Sequence, residues 1–316
     1  MLHLRLIVPS DRTRAAVEMI ESTVGTAHLV VLPGAARDPV GDVVLCDVAR
    51  EAGHELLNGL RELRIDQDGS IAVEDIDLSL STRADAAEKE APGEPADAVI
   101  WEQLTGATHE ESTLSITYSA FMILATMIAA CGVVLDNSIL IVGAMAVGPE
   151  FGPLAGICTA VVQRAPKLAV RSLIALLVGF AVAIAATTVF SLGMDALDLF
   201  SKEQLDAGRP QTSFIWKPDP FSFVVALLAG VAGMLSLTSS KSGALVGVAI
   251  SVTTVPAGAN AAVALSYGEV GQMWGSVEQL LLNLSGIVLA GVLTLYGQKL
   301  LWRTQRGRWR RKPKTA

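Results

Sequence analysis

The stretch AVGPEFGP, residues 146–153, places a carboxylate between two prolines inside a segment that otherwise has the composition of a membrane-spanning helix. Proline removes a helical hydrogen bond, and a charged side chain at the bilayer centre costs about 2.5–3.5 kcal/mol on insertion scales. An unwound backbone offers hydrogen-bond donors and bound water to the carboxylate, and it is tolerated at this depth only inside protein or beside a wet cavity. We therefore predict a polar site built from Gly148, Pro149, Glu150, Gly152 and Pro153.

A second stretch with the same character is TTVPAGAN, residues 253–260. We predict that Pro256 interrupts its span as Pro149 and Pro153 interrupt theirs, and that both stretches line one site near the bilayer midplane. The members predicted from this second stretch are Thr253, Thr254, Pro256 and Asn260. A carboxylate buried at such a site favours coupling to a proton or a cation, so the site is expected to form part of the pathway of a small solute or ion.

Two other interpretations of these residues remain open from the sequence. Glu150 reaches the cytoplasmic interface and pairs with Arg164 or Lys167, or the prolines only kink spans whose role is structural. Each would leave the membrane part without a central polar site.

Other side chains that carry chemistry argue against an enzyme. The four histidines, His3, His28, His54 and His109, all precede the first apolar span, and the spacing of Cys46, Cys131 and Cys158 fits neither a zinc site nor a redox pair. No glycine-rich phosphate loop follows a strand. We therefore expect no catalytic residues, no cofactor and no metal, and the net charge of −7 gives no reason to expect nucleic acid as a partner.

The apolar segments that must position the site number six. They cover about residues 114–135, 138–162, 168–192, 221–239, 243–266 and 277–302, each long enough to cross a bilayer. Basic residues flank them on the side of the N-terminus, which the positive-inside rule assigns to the cytoplasm. The chain is thus expected to cross the plasma membrane six times with both termini in the cytoplasm, and to end in a basic tail, residues 303–316.

The membrane part, residues 114–302, contains a weak internal echo. Residues 129–157 and 230–263 each have a glycine-rich helix end, a polar turn and a proline-interrupted span. Because three spans per unit is an odd number, the second unit enters the membrane in the opposite orientation. The sequence therefore predicts an inverted 3+3 repeat with spans two and five broken.

The front of the chain reads as a soluble α+β domain. Alternating and helical patterns within residues 1–80 follow each other in the order βαββαβ, which is the ferredoxin-like arrangement. Such a domain serves assembly or packing, or it senses a small molecule, and the sequence leaves both open. Residues 81–113 follow as an acidic linker that ends in a short amphipathic helix, which lies on the membrane or packs on the domain.

Three stretches carry a resemblance to a known family. DNSILIVGAMAVGPEFGPLAGI, ALLAGVAGMLSLTSSKSGALVGVAISVTTVP and GRPQTSFIWKPDPFSFVVALLAG resemble the hydrophobic membrane family termed domain of unknown function 389, with Arg209 at the family's arginine position. The resemblance covers roughly residues 114–296 and implies a membrane placement without an established activity. Family members often have a serine, proline, leucine and methionine run where this chain has residues 148–151, and a double proline at Pro256 and Ala257.

The sequence thus favours a transporter or channel-like protein for a small solute or ion, with a cytoplasmic domain that regulates it or joins subunits into a homo-oligomer. Its expected partners are the lipid bilayer, further copies of the chain and that solute or ion. The alternative is a membrane-anchored sensor or scaffold whose spans only assemble and hold the front domain.

Overall fold

The computed structural model describes residues 1–76, 78–91, 93, 98–239 and 253–309. Within them the chain forms two compact units, one containing Met1–Gln103 and the other Leu104–Gly307. Each unit is considered by itself below.

The first unit contains a four-stranded antiparallel sheet. Its strands are β1 (Leu2–Val8), β2 (Thr26–Arg37), β3 (Val40–Val48) and β4 (Ser70–Asp75), in the spatial order β2-β3-β1-β4. The helices α1 (Thr13–Ser22), α2 (Arg50–Glu62) and the one-turn α3 (Ile65–Asp68) connect them. This order and pairing is the split βαβ arrangement expected for βαββαβ.

The core of this unit follows from the alternation in β1. Leu2, Leu4, Leu6 and Val8 point to one face and are completely buried. They pack with Ile20 of α1 and with the buried leucines of α2. One apolar face of the sheet is therefore covered by helices, as the period of two in the sequence requires.

The linker predicted for residues 81–113 has more structure than expected. It contains the helix α4 (Thr82–Glu90), which Ser81 caps with its hydroxyl. Ala84 and Ala87 are buried, and burial of this face makes the alanine-rich segment helical.

Asp42 stabilises the turn side of the β2–β3 pair, and this gives a pH prediction. Its carboxylate accepts hydrogen bonds from the Thr13 hydroxyl at 2.6 Å and the Gly34 amide at 2.8 Å, and these bonds lower the pKa of Asp42. The stability they contribute is complete above the unfolded pKa of about 3.9 and is lost as pH falls through the lower folded value. We expect Asp42→Asn to speed amide hydrogen exchange in residues 34–42 at pH 6 and to reduce its change between pH 6 and 3. An unchanged exchange rate at pH 6 would contradict this role.

The second unit is helical. After α5 (Trp101–Glu111) it contains α6 (Ile116–Val134), α7 (Ser138–Val147), α8 (Phe151–Gln163), α9 (Pro166–Ala196), α10 (Lys202–Asp206), a 3₁₀ turn (Ser213–Ile215), α11 (Pro220–Thr238), α12 (Thr254–Ser266) and α13 (Val270–Trp309). The apolar helices pack closely where small residues meet. Gly230 of α11 lies against the Ile287 carbonyl and Ala290 of α13, where an added Cβ would lie 2.7 Å from that carbonyl oxygen.

Four of these helices are long and apolar enough to cross a membrane, namely α6, α9, α11 and Val270–Leu301 of α13. The pair α7 and α8 meets the same test together and is bent by 52° between Val147 and Phe151, which adds a fifth. The predicted fifth span, residues 243–266, lies partly outside the described residues, which resume at Thr253 just before α12. The described part of the chain therefore has four or five candidate spans.

The two ends of the helical unit are chemically distinct. At the first, which we call the loop end, the Gln211 amide and the Thr212 hydroxyl bond to Asp136 in the α6–α7 turn, and Lys202 pairs with Glu269 before α13. At the other, the basic end, Arg171 donates to Thr113 and Lys299 donates to the Val162 carbonyl. The loop of residues 197–219 is thus fixed over one end of the helices.

Candidate functional site

The break between α7 and α8 follows from Pro149. The residue before a proline is driven out of the helical region, and Gly148 is extended, with φ −64° and ψ 129°. Helix α7 therefore ends at Val147, and the chain starts a new helix at Phe151. Pro153 is the third residue of α8, where its missing N–H has no helical partner to lose. The structure thus breaks this apolar segment at the predicted place, with Pro149 at the break and Pro153 inside the new first turn.

Glu150 occupies this break and is buried, with 4% of its surface exposed. Its Oε1 accepts a hydrogen bond from the Thr254 hydroxyl at 2.7 Å, whereas its Oε2 has no hydrogen-bond partner among the described residues. The carboxylate folds back over Gly148, because a Cβ added there would lie 2.3 Å from Oε2. Arg164 is the residue that ends α8, roughly 20 Å of helix away, so pairing of Glu150 with the residues at that end is not what the structure shows.

The depth of Glu150 can be estimated from helix lengths. Helix α7 has ten residues and therefore descends about 15 Å from the Asp136 turn. The hydrocarbon core of a bilayer is about 30 Å thick. A span placed with its turn at the surface would hold Glu150 near the midplane.

The stretch TTVPAGAN meets Glu150 at the start of α12. Thr254 is the first residue of this helix and Thr253 precedes it, accepting a hydrogen bond from the Asn283 amide at 2.9 Å. Pro256 is the third residue of α12, like Pro153 in α8, so within the described residues it lies in a first turn and does not interrupt a helix. Helices α8 and α12, each of 13 residues, thus begin beside the same carboxylate.

These two half-helices run in opposite directions from their meeting point. Helix α8 leads to the basic end, and α12 leads to the loop end, where Tyr267 bonds to Asp195. Helix N-termini carry partial positive charge. The two dipoles favour the ionised form of Glu150, and the apolar depth favours the neutral form. These opposed influences suit a carboxyl group that gains and loses a cation.

Asn260 lies in a different polar cluster. It follows Thr254 by six residues, about 9 Å along α12, and it is completely buried. Its Oδ1 accepts from Arg209 at 2.9 Å, its Nδ2 donates to Ser276 at 2.7 Å, and Arg209 also donates to Gln272 at 2.7 Å. The structure therefore does not place Asn260 in contact with Glu150 directly.

One face of α13 joins the polar groups around Glu150 to those around Asn260. Polar residues recur on it at intervals of four, three and four, the spacing of a single helix face: Gln272, Ser276, Gln279 and Asn283. We call this set the polar face. Gln279 is buried, and its Oε1 has no hydrogen-bond partner among the described residues. The face starts at Gln272, which accepts a hydrogen bond from Arg209, and it ends at Asn283, which bonds to Thr253.

The polar face was not predicted from the sequence, although its signal was present. Four polar residues at helical spacing in a largely apolar segment indicate a face turned to protein or water and away from lipid. The family resemblance singled out Arg209, but no local pattern indicated that it enters the helical unit.

A cavity of about 390 Å³ opens at the break. Gly148, Pro149 and Gly152 form one wall, and Tyr118 of α6 and the end of α5 form another. The α5 wall is acidic and includes Glu110 and Glu111. Gly152 allows this approach, because a Cβ there would lie 2.6 Å from the Cβ of Glu111. The predicted residues Gly148, Pro149 and Gly152 thus line a real cavity, with Glu150 directly behind Gly148.

The described ranges hold no metal-binding cluster: no three of their His, Cys, Asp or Glu side chains are placed to hold a metal ion, and their three cysteines are free. The site is therefore composed of oxygen and nitrogen groups from Glu150, the threonines, the amides and Arg209.

Gly148 provides a test of this packing. In Gly148→Ala the new Cβ would collide with the Glu150 carboxylate and lie 2.8 Å from Val255. Overpacking of this kind costs about 1–3 kcal/mol, so we expect a lower thermal unfolding temperature in detergent. Gly143→Ala in α7 is the matched control, because nothing lies within 4 Å of its added Cβ and alanine favours helix. Equal stability of the two variants would contradict the position of Glu150 over Gly148.

Comparison with known proteins matches the region of the chain that contains this site. Residues 145–289 match the family model described as Domain of unknown function (DUF389), which confirms the resemblance inferred from the sequence. The chain is also 26% identical over 210 residues to "Uncharacterized protein MJ0678" of Methanocaldococcus jannaschii, covering 65% of this chain and 62% of that protein. The chain thus spans less than two thirds of the length of the curated relative that it matches. No solved structure matches the chain.

Proposed function

We propose that this chain is an integral membrane transporter or channel-like protein in which a small solute or ion crosses at the break between α7 and α8. The observation that carries the proposal is Glu150, a buried carboxylate at a helix break, one oxygen of which has no hydrogen-bond partner among the described residues and folds over Gly148, a residue of the cavity wall. Intramembrane carboxylates are costly and mark ion pathways and proton relays. Glu150 is proposed to bind and release a proton or another monovalent cation.

The opposite directions of the half-helices α8 and α12 support the proposal that an inverted repeat builds this site. In such transporters discontinuous helices meet at the midplane with their N-termini at the binding site. Helices α8 and α12 begin at one carboxylate, run in opposite directions and share a proline at the third position. We propose that the segment before Thr253 completes a sixth span, and that the basic end faces the cytoplasm with both termini.

The first unit is proposed to join subunits in a homo-oligomer. Its edge strand β2 and the first residue of β3 expose Val30, Leu32 and Val40, with 43%, 45% and 81% of their surfaces accessible. Exposed apolar sheet edges pair readily with another chain. The plasma membrane is the proposed location.

Reconstitution tests the function. We expect liposomes holding the full chain to pass protons or Na⁺ down an imposed gradient faster than protein-free liposomes, measured with a pH-sensitive dye and with ²²Na⁺. If the rates for both cations equal those of protein-free liposomes, the proposed mechanism is contradicted.

A second candidate, a membrane-anchored sensor, is favoured by one observation in the first unit. A polar cavity of about 410 Å³ lies at residues 20–29 and is bordered by Arg83 and Glu90 of α4. This candidate predicts that small charged metabolites raise the thermal unfolding temperature of the full chain while the liposomes pass no ion.

A further inference from the structure

Arg209 is a buried guanidinium supplied by a loop. It belongs to the segment of residues 197–219, between α9 and α11, and 4% of its surface is exposed. It donates to Asn260 of α12 and to Gln272 of α13. One loop residue therefore connects two helices of the polar site at the loop end.

The hydrogen-bond partners of Arg209 do not neutralise its positive charge. Both are neutral amide oxygens, and among the described residues it forms no salt bridge. Asp136 and Asp206 act on it electrostatically without direct contact. A guanidinium stays protonated in proteins, so a fixed positive charge lies where the polar face begins.

The rest of the polar face lies behind this charge. From Gln272 to Asn283 is eleven residues, or about 16 Å, which reaches from the loop end to the level of Thr253 and Glu150. Gln279, whose amide oxygen has no hydrogen-bond partner in the described part of the chain, lies between the two. The cavity of about 390 Å³ opens at the break, beside the end of α5. Polar groups of α13 thus reach from the loop end to the break, and Arg209 binds them at the loop end.

We propose that Arg209 is the gate of the loop end: it closes the polar face by binding α12 to α13, and its charge excludes cations until those bonds open. A gate has a role only if the proposed transport function holds, but the labelling experiment below does not depend on transport. A fixed arginine charge in a polar pore is a general barrier to cations. Opening requires the loop to withdraw Arg209 from Asn260 and Gln272, and this would connect Gln279 with water at the loop end.

Cysteine accessibility tests the gate in the full chain in sealed proteoliposomes. Cys46, Cys131 and Cys158 are replaced by alanine, and Gln279→Cys is introduced as the reporter. A membrane-impermeant methanethiosulfonate cation is added from the loop side. We expect Arg209→Gln to label about tenfold faster than the parent, because both the bonds and the charge barrier are lost. Lys217→Gln is the matched control, an exposed lysine in the same loop, and its labelling rate should equal that of the parent.

A second reporter and a milder variant keep the test decisive. Gly208→Cys lies in the loop and should label rapidly in every background, which shows that the protein is folded and the reagent is active. If Arg209→Gln does not fold, Gln272→Ala removes one of the two bonds and should label about threefold faster, since a single neutral contact to a charged donor is lost. Unchanged labelling of Gln279→Cys in whichever of these variants folds would overturn the gate.

The outcomes separate the gate from the transport function. Faster labelling in Arg209→Gln with no ion flux through the native chain would support the gate and contradict the transport function. Ion flux through the native chain with unchanged labelling would support the transport function and contradict the gate.

Discussion

Glu150→Gln is expected to abolish modification of the helical unit by dicyclohexylcarbodiimide, which reacts with protonated carboxyl groups in apolar surroundings. Glu150 is the buried carboxylate at the break, and its neutral form is favoured by depth and by the lack of a cationic partner among the described residues. Glutamine keeps the size of the side chain and an oxygen for the Thr254 hydroxyl but offers no acid. We expect one adduct on Glu150 by peptide mass spectrometry in the native chain and none at position 150 in the variant.

A control separates the acid from its surroundings. Thr254→Val removes the hydrogen bond to Oε1 but keeps the carboxyl group, so its adduct should persist. Glu278, an exposed carboxylate of α13, is the comparison acid and should remain unmodified at pH 7. Modification of Glu278 in place of Glu150 would contradict the assignment of the buried acid.

Asn260→Leu is expected to be among the most destabilising single substitutions in the helical unit. It removes the oxygen that accepts from Arg209 and the amide that donates to Ser276, both inside the protein. Arg209 keeps its bond to Gln272, but the guanidinium N–H that faced Asn260 is left unsatisfied inside the protein, which costs about 1–3 kcal/mol and more for a charged donor. The free energy of unfolding, measured by denaturant titration in detergent micelles, should fall by about that amount.

A double-mutant cycle identifies the cause. If the loss comes from the guanidinium N–H that no longer has the Asn260 acceptor, Asn260→Leu combined with Arg209→Met should be less destabilising than the sum of the two single changes by about 1–3 kcal/mol. Ser276→Ala is the control and should cost about 1 kcal/mol, the value of a neutral hydrogen bond. Additive effects would show that Asn260 and Arg209 act independently.

Much of the architecture could be read from local patterns. Alternation in β1 and the turn residues around it predicted the βαββαβ unit, because one strand face must be buried. Apolar length predicted α6, α9, α11 and α13, and Pro149 predicted the break, since both act through the bilayer or the backbone and need no tertiary information.

The composition of the site depended on contacts that local patterns do not encode. Asn260 was predicted beside Glu150 because both adjoin prolines, yet the helical rise separates them and Asn260 bonds to Arg209 instead. Arg209 lies in a polar loop and, from composition, would be expected in solvent. Only the fold brings the loop over the ends of α12 and α13. The prediction that Pro256 interrupts a span depends on residues before Thr253, which lie outside the described residues; within them Pro256 is in the first turn of α12.

The proposed transport requires a buried carboxyl that exchanges a cation between the two sides of the membrane. The most direct test is the ion flux of liposomes holding equal amounts of native chain or Glu150→Gln, measured under one imposed proton or Na⁺ gradient. We predict a saturable flux in the native liposomes and a flux in Glu150→Gln reduced by about 100-fold, to the level of protein-free liposomes, because the only change is loss of the acid. Equal flux in native and Glu150→Gln liposomes would contradict it.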